Sequence, residues 1–341
     1  MTLQNSNLKL RPSVLVSDTV PAQNGGRMAY SEVVSGVKNN LLPDATAAQR
    51  LNGLVRWRKV FWHVDSADTV ALNNVMIYMD KMTQGDDYLL IHGNNVTATG
   101  TQATDSGQFN MVGIGALASN VSAGEWAITV ACEHVDYATL EPFRVGMTIR
   151  ISNIPIGGGT GTEEFVVLTG VAFAGAVATL SWAAVSPLTH AYLAAETVVS
   201  GVIQVSTIAG AADSISTNTA NGSIVGFFTG NVSVPSRGSI EESWTITFTS
   251  SNTFTVAGAT VGNLPGIGSI SADFFAYNSD STMLYFTLAS GTFDGGFLTG
   301  ETVTFNTTQA SVPLFIRQCI PAGSGSLAGN VGAIAIRGES A

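Results

Sequence analysis

The sequence predicts a mainly β chain, built of antiparallel β-sandwich or β-barrel domains with one short helix near the N-terminus. Three observations predict it. Clean two-residue alternation recurs, as in Ser243 to Thr249, where Trp244, Ile246 and Phe248 share one face and Ser or Thr residues the other. Short strand-like segments follow one another at close spacing, divided by Gly, Pro and Asn turns. No stretch after Asn52 carries a helical period.

Taken in order, residues 1–29 read as an N-terminal arm. Pro12, Pro21 and the Asn24-Gly25-Gly26 turn interrupt it, and Leu8 to Leu15 fits one edge strand. Thr46 to Gln49 fits a capping box, a short helix runs on through Asn52, and Gly53 sits where a C-terminal glycine belongs. Leu54 to Val64 is a strand by its β-branched and aromatic content. On it Arg56 and Arg58 share one face, and Trp57, Lys59 and Phe61 the other. Val75 to Met79 and Tyr88 to His92 are further strands around a Gln84-Gly85-Asp86 turn.

The polar run Gly93 to Gly107 marks a boundary. Beyond it the expected strands are Gly124–Ala131, Met147–Ser152, Glu164–Thr169, Val177–Trp182 and Glu196–Val205. Ala209 to Gly222 reads as a linker. Then come Phe254/Val256, Leu284/Phe286/Leu288, Val303/Phe305, Pro313 to Ile320 and Val331 to Arg337. The N-terminal and C-terminal blocks are both rich in Trp and Phe, which suggests one shared sheet. The expected division is therefore an arm (1–29), a main β domain (30–104 plus 223–341) and an inserted barrel or sandwich (105–222).

At 341 residues the chain has room for two or three cores. Charged residues make up 11% of it, against roughly 25% in a typical soluble chain. So little charge suggests that much of the surface is covered by partners. The charge is also uneven. Residues 1–81 hold nine basic and six acidic side chains, leaving five and eighteen for the rest, which accounts for the net −10. A basic head and an acidic body suit docking between copies or onto a complementary partner. The apolar runs fall short of the roughly 20 residues of a membrane span. MTLQNSNLKLRPS has no apolar core segment and is not read as a signal peptide. Cys132 and Cys319 read as buried thiols, with a single bridge left to geometry.

The chemical motifs are sparse. Cys132, His134 and Asp136 would share a face on an extended strand, as zinc ligands do, but no second pair at recognised spacing accompanies them. The segment is read as a strand end entering a turn. Gly157 to Thr162 has the glycine of a phosphate-cradling loop without its Lys or its following helix. It is read as a hairpin loop. The adjacent acids Glu163/Glu164 and Glu241/Glu242 would point to opposite faces of a strand and share no substrate. No Gly-X-Ser-X-Gly elbow is present. No enzyme activity, metal or cofactor is expected.

The stretch Tyr30 to Trp62 stands out. It holds five of the fourteen basic residues, with Arg27 just ahead, and two of the five Trp. Basic and aromatic residues interleaved in this way can stack on bases and neutralise phosphate. The net charge and the lack of a second basic patch argue against nucleic acid. Arg and Trp also dominate protein interfaces. Arg50, Arg56, Trp57, Arg58, Lys59 and Trp62 are therefore the candidate subunit interface.

Three segments carry a resemblance: SEVVSGVKNNLLPDATAAQRLNGLVRWRKVFW, EESWTITFTSSNTFTVAG and GETVTFNTTQASVPLFIRQCIPAG. Together they resemble β-rich structural proteins of tailed bacteriophages and prophages. The likeness touches both ends of the chain and leaves the middle block uncovered. It implies a virion component of the tail, neck or collar, assembled in the host cytoplasm, with copies of itself and other virion proteins as partners. It implies no catalytic residues. The alternatives are a capsid decoration protein, or a baseplate or fibre module that binds a receptor or carbohydrate through exposed Trp126, Trp182 or Tyr192.

Overall fold

The computed structural model describes residues 3–93, 95–105, 110–218, 226–294 and 296–340. β1 (Leu8–Leu15) and β2 (Gly25–Met28) precede α1 (Ala47–Asn52), β3 (Leu54–Val64), β4 (Leu72–Lys81) and β5 (Tyr88–His92). α2 (Gln102–Asp105) leads to β6 (Ile114–Leu117), β7 (Ala127–Cys132), α3 (Tyr137–Leu140), β8 (Thr148–Ser152), β9 (Glu163–Ala174), β10 (Val177–Trp182), β11 (Val198–Ile208) and β12 (Ala211–Asn218). Later strands are named by their residues. The chain is mainly β and its sheets are antiparallel, as the alternation predicts. No helix among the described residues is long and apolar enough to cross a membrane.

α1 forms as its sequence dictates. Thr46 Oγ1 accepts from Gln49 N at 3.2 Å, and Gln49 Oε1 accepts from Thr46 N at 2.9 Å. Gly53 then turns the chain at φ +79°, a conformation that suits glycine. α2 and α3 are single turns, too short to leave a period in the sequence.

The first sheet runs β2-β1-β3-(Ser311–Ile320)-β5. Strands from both ends of the chain thus lie side by side, with Val60 of β3 opposite Pro12 on one flank and Leu314 on the other. Residues 8–28 do not form a free arm. β1 is an inner strand, and β2 takes the edge.

The second sheet begins with Ala333–Ser340, continues through β4 to β11, and closes into a six-stranded barrel in the order β11-β6-β7-β10-β9-β8, with β8 returning to β11. β11 belongs to both parts. Its residues Val198 to Gly201 pair with β8, while Val202 to Ile208 pair with β4. At the changeover Gly201 lets the backbone come close. A Cβ there would stand 2.7 Å from Val112 Cγ1. Val130, Ile149, Leu168, Leu180, Trp182 and Val199 fill the barrel core.

The third unit lies in the 211–308 stretch. β12, Thr302–Thr308, Glu242–Phe248 and Thr253–Gly258 form one sheet, and Met283–Leu288 with Phe274–Asn278 part of another. Their inner faces meet through aromatic rings: Trp244 stands 4.9 Å from Phe286 at 69°, and Phe286 stands 5.1 Å from Phe305 at 85°. Trp244, Ile246 and Phe248 are buried together, as their alternation predicts. Leu284 departs from the expected pattern. A register shift opposite Ala276 and Tyr277 puts Tyr285 into the core, 5.3 Å from Trp244, and leaves Leu284 partly exposed.

These units cut across the expected division. Residues 226–308 have an apolar core of their own instead of joining the N-terminal sheet. The expected linker from Ala209 contains β12, whose partner is Thr302–Thr308. Part of that linker, residues 219–222, lies outside the described residues.

Candidate functional site

β3 is the inner strand on which the candidate interface residues sit. Its alternation puts Arg56 and Arg58 on one face, and both reach Asp18. Arg58 Nη1 lies 2.5 Å from Asp18 Oδ1, and Arg56 Nε lies 3.3 Å from Asp18 Oδ2. Backbone carbonyls take other protons. Arg56 Nη1 donates to Pro43 O at 2.6 Å, and Arg58 Nε donates to Leu41 O at 3.1 Å. One carboxylate and two loop carbonyls thus bind the chain before β2 and the chain before α1 to the same strand.

Lys59 points to the opposite face and is 1% exposed. Its Nζ donates to Thr97 O at 2.6 Å, Gly100 O at 2.7 Å and Ala98 O at 3.3 Å, and it lies 5.1 Å from the Phe61 ring centre. Burial pushes its ammonium down to about 8. Three carbonyls take the place of water around the charge.

The remaining candidates are also engaged inside the chain. Arg50 Nη1 donates to Ala45 O at 2.6 Å, and its carbonyl accepts from Gly323 N at 2.8 Å. Trp57 meets Phe315 edge-on at 6.3 Å and carries the Arg317 guanidinium 5.8 Å from its ring centre. Trp62 packs against the core of the first sheet. The structure thus brings Arg56 and Arg58 together, places Lys59 behind them, and turns all three charges inward. They are not presented to a partner, because an inner strand covered on both faces holds its charges only by satisfying them within the chain.

Comparison with known proteins finds no matching family model, no matching curated protein and no matching solved structure. The residues alone therefore carry the functional reading.

What these buried charges hold outward is apolar. Val16 is 57% exposed on the segment tied down by Asp18, and Val37 is 54% exposed on the segment tied down by Leu41 and Pro43. Val14, Leu15, Val20 and Val34 on the same two segments are also exposed, as are Leu51 of α1 and Val55 of β3. The sequence gives a faint signal for this, in valines spaced along segments that lack an amphipathic partner.

The other expected sites resolve without converging. Cys132 is buried at the end of β7, and His134 and Asp136 lie beyond it, where His134 Nδ1 accepts from Asp136 N at 3.2 Å. Among the described residues no His, Cys, Asp and Glu cluster has the makings of a metal site. Both cysteines are free and buried. Gly157 to Thr162 connects β8 to β9, as a hairpin loop does. It borders a cleft of about 410 Å³ lined also by Tyr78, Asp80, Arg150, Glu163 and Arg337. There Arg150 lies 2.8 Å from both Asp80 and Glu163, and Arg337 pairs with Glu163, so the charges cancel within the chain.

The adjacent acids diverge. Glu163 meets Arg150, whereas Glu164 accepts from Thr189 N at 2.8 Å and from Tyr192 Oη at 3.2 Å. Of the three expected sugar platforms, Trp182 and Tyr192 are core residues of the barrel, and only Trp126 is open, at 49%.

Sequence reasoning missed a seam of polar residues. Arg11 Nε donates to His63 Nδ1 at 2.9 Å, which leaves the His63 Nε2 proton for Ser236 O at 3.1 Å. Arg11 also lies 3.1 Å from Asp65, and Arg237 pairs with the other oxygen of Asp65. Burial, aided by the Arg11 charge, pushes His63 down to about 4 and keeps it neutral. This network joins the first sheet to the third unit. Its members come from distant parts of the chain and form no motif.

Proposed function

We propose that the chain is a structural subunit of a tailed-phage virion, in the tail, neck or collar, acting by assembly with copies of itself and with neighbouring virion proteins. The observation that carries this reading is the apolar surface on residues 14–20 and 34–37, held on a frame of satisfied internal charges in a chain that is only 11% charged. Exposed apolar surface on a fixed backbone supports association, because burying it costs little ordering entropy. The phage assignment itself rests on the resemblance of the three segments.

The test is the mass of the purified protein across a concentration series, together with its incorporation into particles seen by electron microscopy. Val16→Asp with Val37→Asp is expected to lower both while leaving the far-ultraviolet circular dichroism unchanged. A wild-type protein that stays monomeric at high concentration and enters no particle would sink the reading.

A second reading, a carbohydrate-binding module, is supported by Trp126 alone. Its chain neighbours Glu125 and Ala127 line a cleft of about 290 Å³ with Ser119, Asn120, Ser122 and Thr179, which supply hydrogen-bonding groups. Titration calorimetry with cell-wall oligosaccharides tests it. Binding that Trp126→Ala abolishes would favour this reading over pure assembly.

A further inference from the structure

Glu133 follows directly on β7, and its carboxyl group bridges three parts of the chain. Oε1 accepts from Thr83 N at 3.1 Å, in the turn between β4 and β5. Oε2 lies 2.9 Å from the hydroxyl of Tyr137 on α3. That hydroxyl lies 3.2 Å from the carbonyl of Ile114 on β6. Tyr137 is wholly buried. The Thr83 hydroxyl gives its own proton to Asp87 O.

A phenol has one proton to give. Between an ionised carboxylate and a carbonyl, Tyr137 faces two acceptors and satisfies one. Beside a protonated carboxyl it accepts from Glu133 and donates to Ile114, and every contact is filled. We propose that Glu133 is held as a neutral acid, donating through Tyr137 to Ile114, and so forms a proton-dependent clasp between the barrel and the turn that leads into the first sheet.

The surroundings favour the neutral form. Burial is the main cause that pushes the Glu133 carboxyl up to about 7; it outweighs the hydrogen bonds from Tyr137 and Thr83, which pull the other way, and the Asp87 carboxylate adds to the rise. The other titratable groups here are Cys132 of β7, His134 and Asp136 ahead of α3, Tyr88 of β5 and Cys319 of the strand beside it. Tyr88 Oη donates to Asp136 at 2.8 Å, and His134 stacks on Tyr88 at 5.1 Å, so these groups are engaged with one another. Above about pH 7 the proton leaves, Tyr137 turns to the carboxylate, and Ile114 loses its donor.

The sign follows. The folded chain keeps a proton that the unfolded chain, at 4.5, gives up. The clasp is strongest below 4.5 and is lost as pH rises through about 7. Glu133→Gln copies the protonated acid, with an amide N–H toward Tyr137 and a carbonyl toward Thr83. Chemical denaturation of the full chain from pH 5 to pH 8 tests the assignment. The wild-type folding constant, relative to that of the Gln variant, is expected to fall by at least about tenfold over this range. Equal pH dependence in the two proteins would overturn the proposal. So would a Glu133 δ-carbon NMR signal, assigned by its absence from the Gln variant, that reports carboxylate at pH 6. The NMR measurement uses wild-type protein, so the test stands even if the variant folds poorly.

Discussion

Asp18 holds Arg58 at 2.5 Å from its Oδ1 and Arg56 at 3.3 Å from its Oδ2, so that one carboxylate serves two guanidiniums on the same face of β3. Both arginines are buried and Asp18 is partly open to solvent. Removing it leaves two charges in the fold with backbone carbonyls as their main support. Asp18→Ala is expected to cost about 2–3 kcal/mol, below the full range for a buried pair because water reaches Asp18. Urea denaturation checks it. Arg56→Glu with Arg58→Glu is expected to unfold the first sheet, seen as loss of near-ultraviolet circular dichroism, and not merely to block association.

Lys59→Met keeps the aliphatic stem and removes the ammonium. The carbonyls of Thr97, Ala98 and Gly100 then lose a shared donor inside the protein. A loss of about 3 kcal/mol is expected, from charge-assisted bonds offset by the removed desolvation cost. Hydrogen exchange near residues 97–101 should quicken in the variant. Unchanged exchange would show that the loop is held by other contacts.

His63 gives a pH prediction. Its folded value of about 4 lies below the ordinary 6.5, so the unfolded chain binds the proton more readily. The stability it confers is complete above 6.5 and is lost as pH falls toward 4, by up to about 3 kcal/mol. His63→Gln should flatten this acid limb in denaturation measured from pH 7 to pH 4. A limb of unchanged steepness would assign the effect to other groups.

Gly238 sits where the third unit packs against its own hairpin. A Cβ there would stand 2.1 Å from the Leu284 carbonyl oxygen, and backbone cannot swing aside as a side chain can. Gly238→Ala is expected to cost about 3 kcal/mol, at the upper end for overpacking. Gly230→Ala, which meets nothing within 4 Å, is the control. Equal melting temperatures for the two variants would contradict the close approach.

Much of the β framework was legible because local chemistry decides it. Leu8–Leu15, Leu54–Val64, Tyr88–His92 and Val177–Trp182 are strands with the ends their composition and flanking turns predict. Thr46, Gln49 and Gly53 delimit α1 for the same reason. The fate of the charges was not legible. Arg56, Arg58 and Lys59 read as surface residues because their partners are carbonyls of Leu41, Pro43, Thr97 and Gly100, and a carbonyl leaves no trace in residue type. β12 read as linker because Ala211 to Asn218 is polar, and only its pairing with Thr302–Thr308 makes it a strand. Tyr285 entered the core through a register shift that alternation does not foresee.

β11 crosses from the barrel to the open sheet without a break in its backbone. Force applied to the barrel therefore travels along the β11 backbone and reaches β4 through the hydrogen bonds of their shared ladder, and detaching the two means peeling a strand, not sliding one surface off another. Excising the barrel to make a smaller protein would cut that strand and bare an edge of β4. The cut edge would then be a template for fibrillar pairing between molecules.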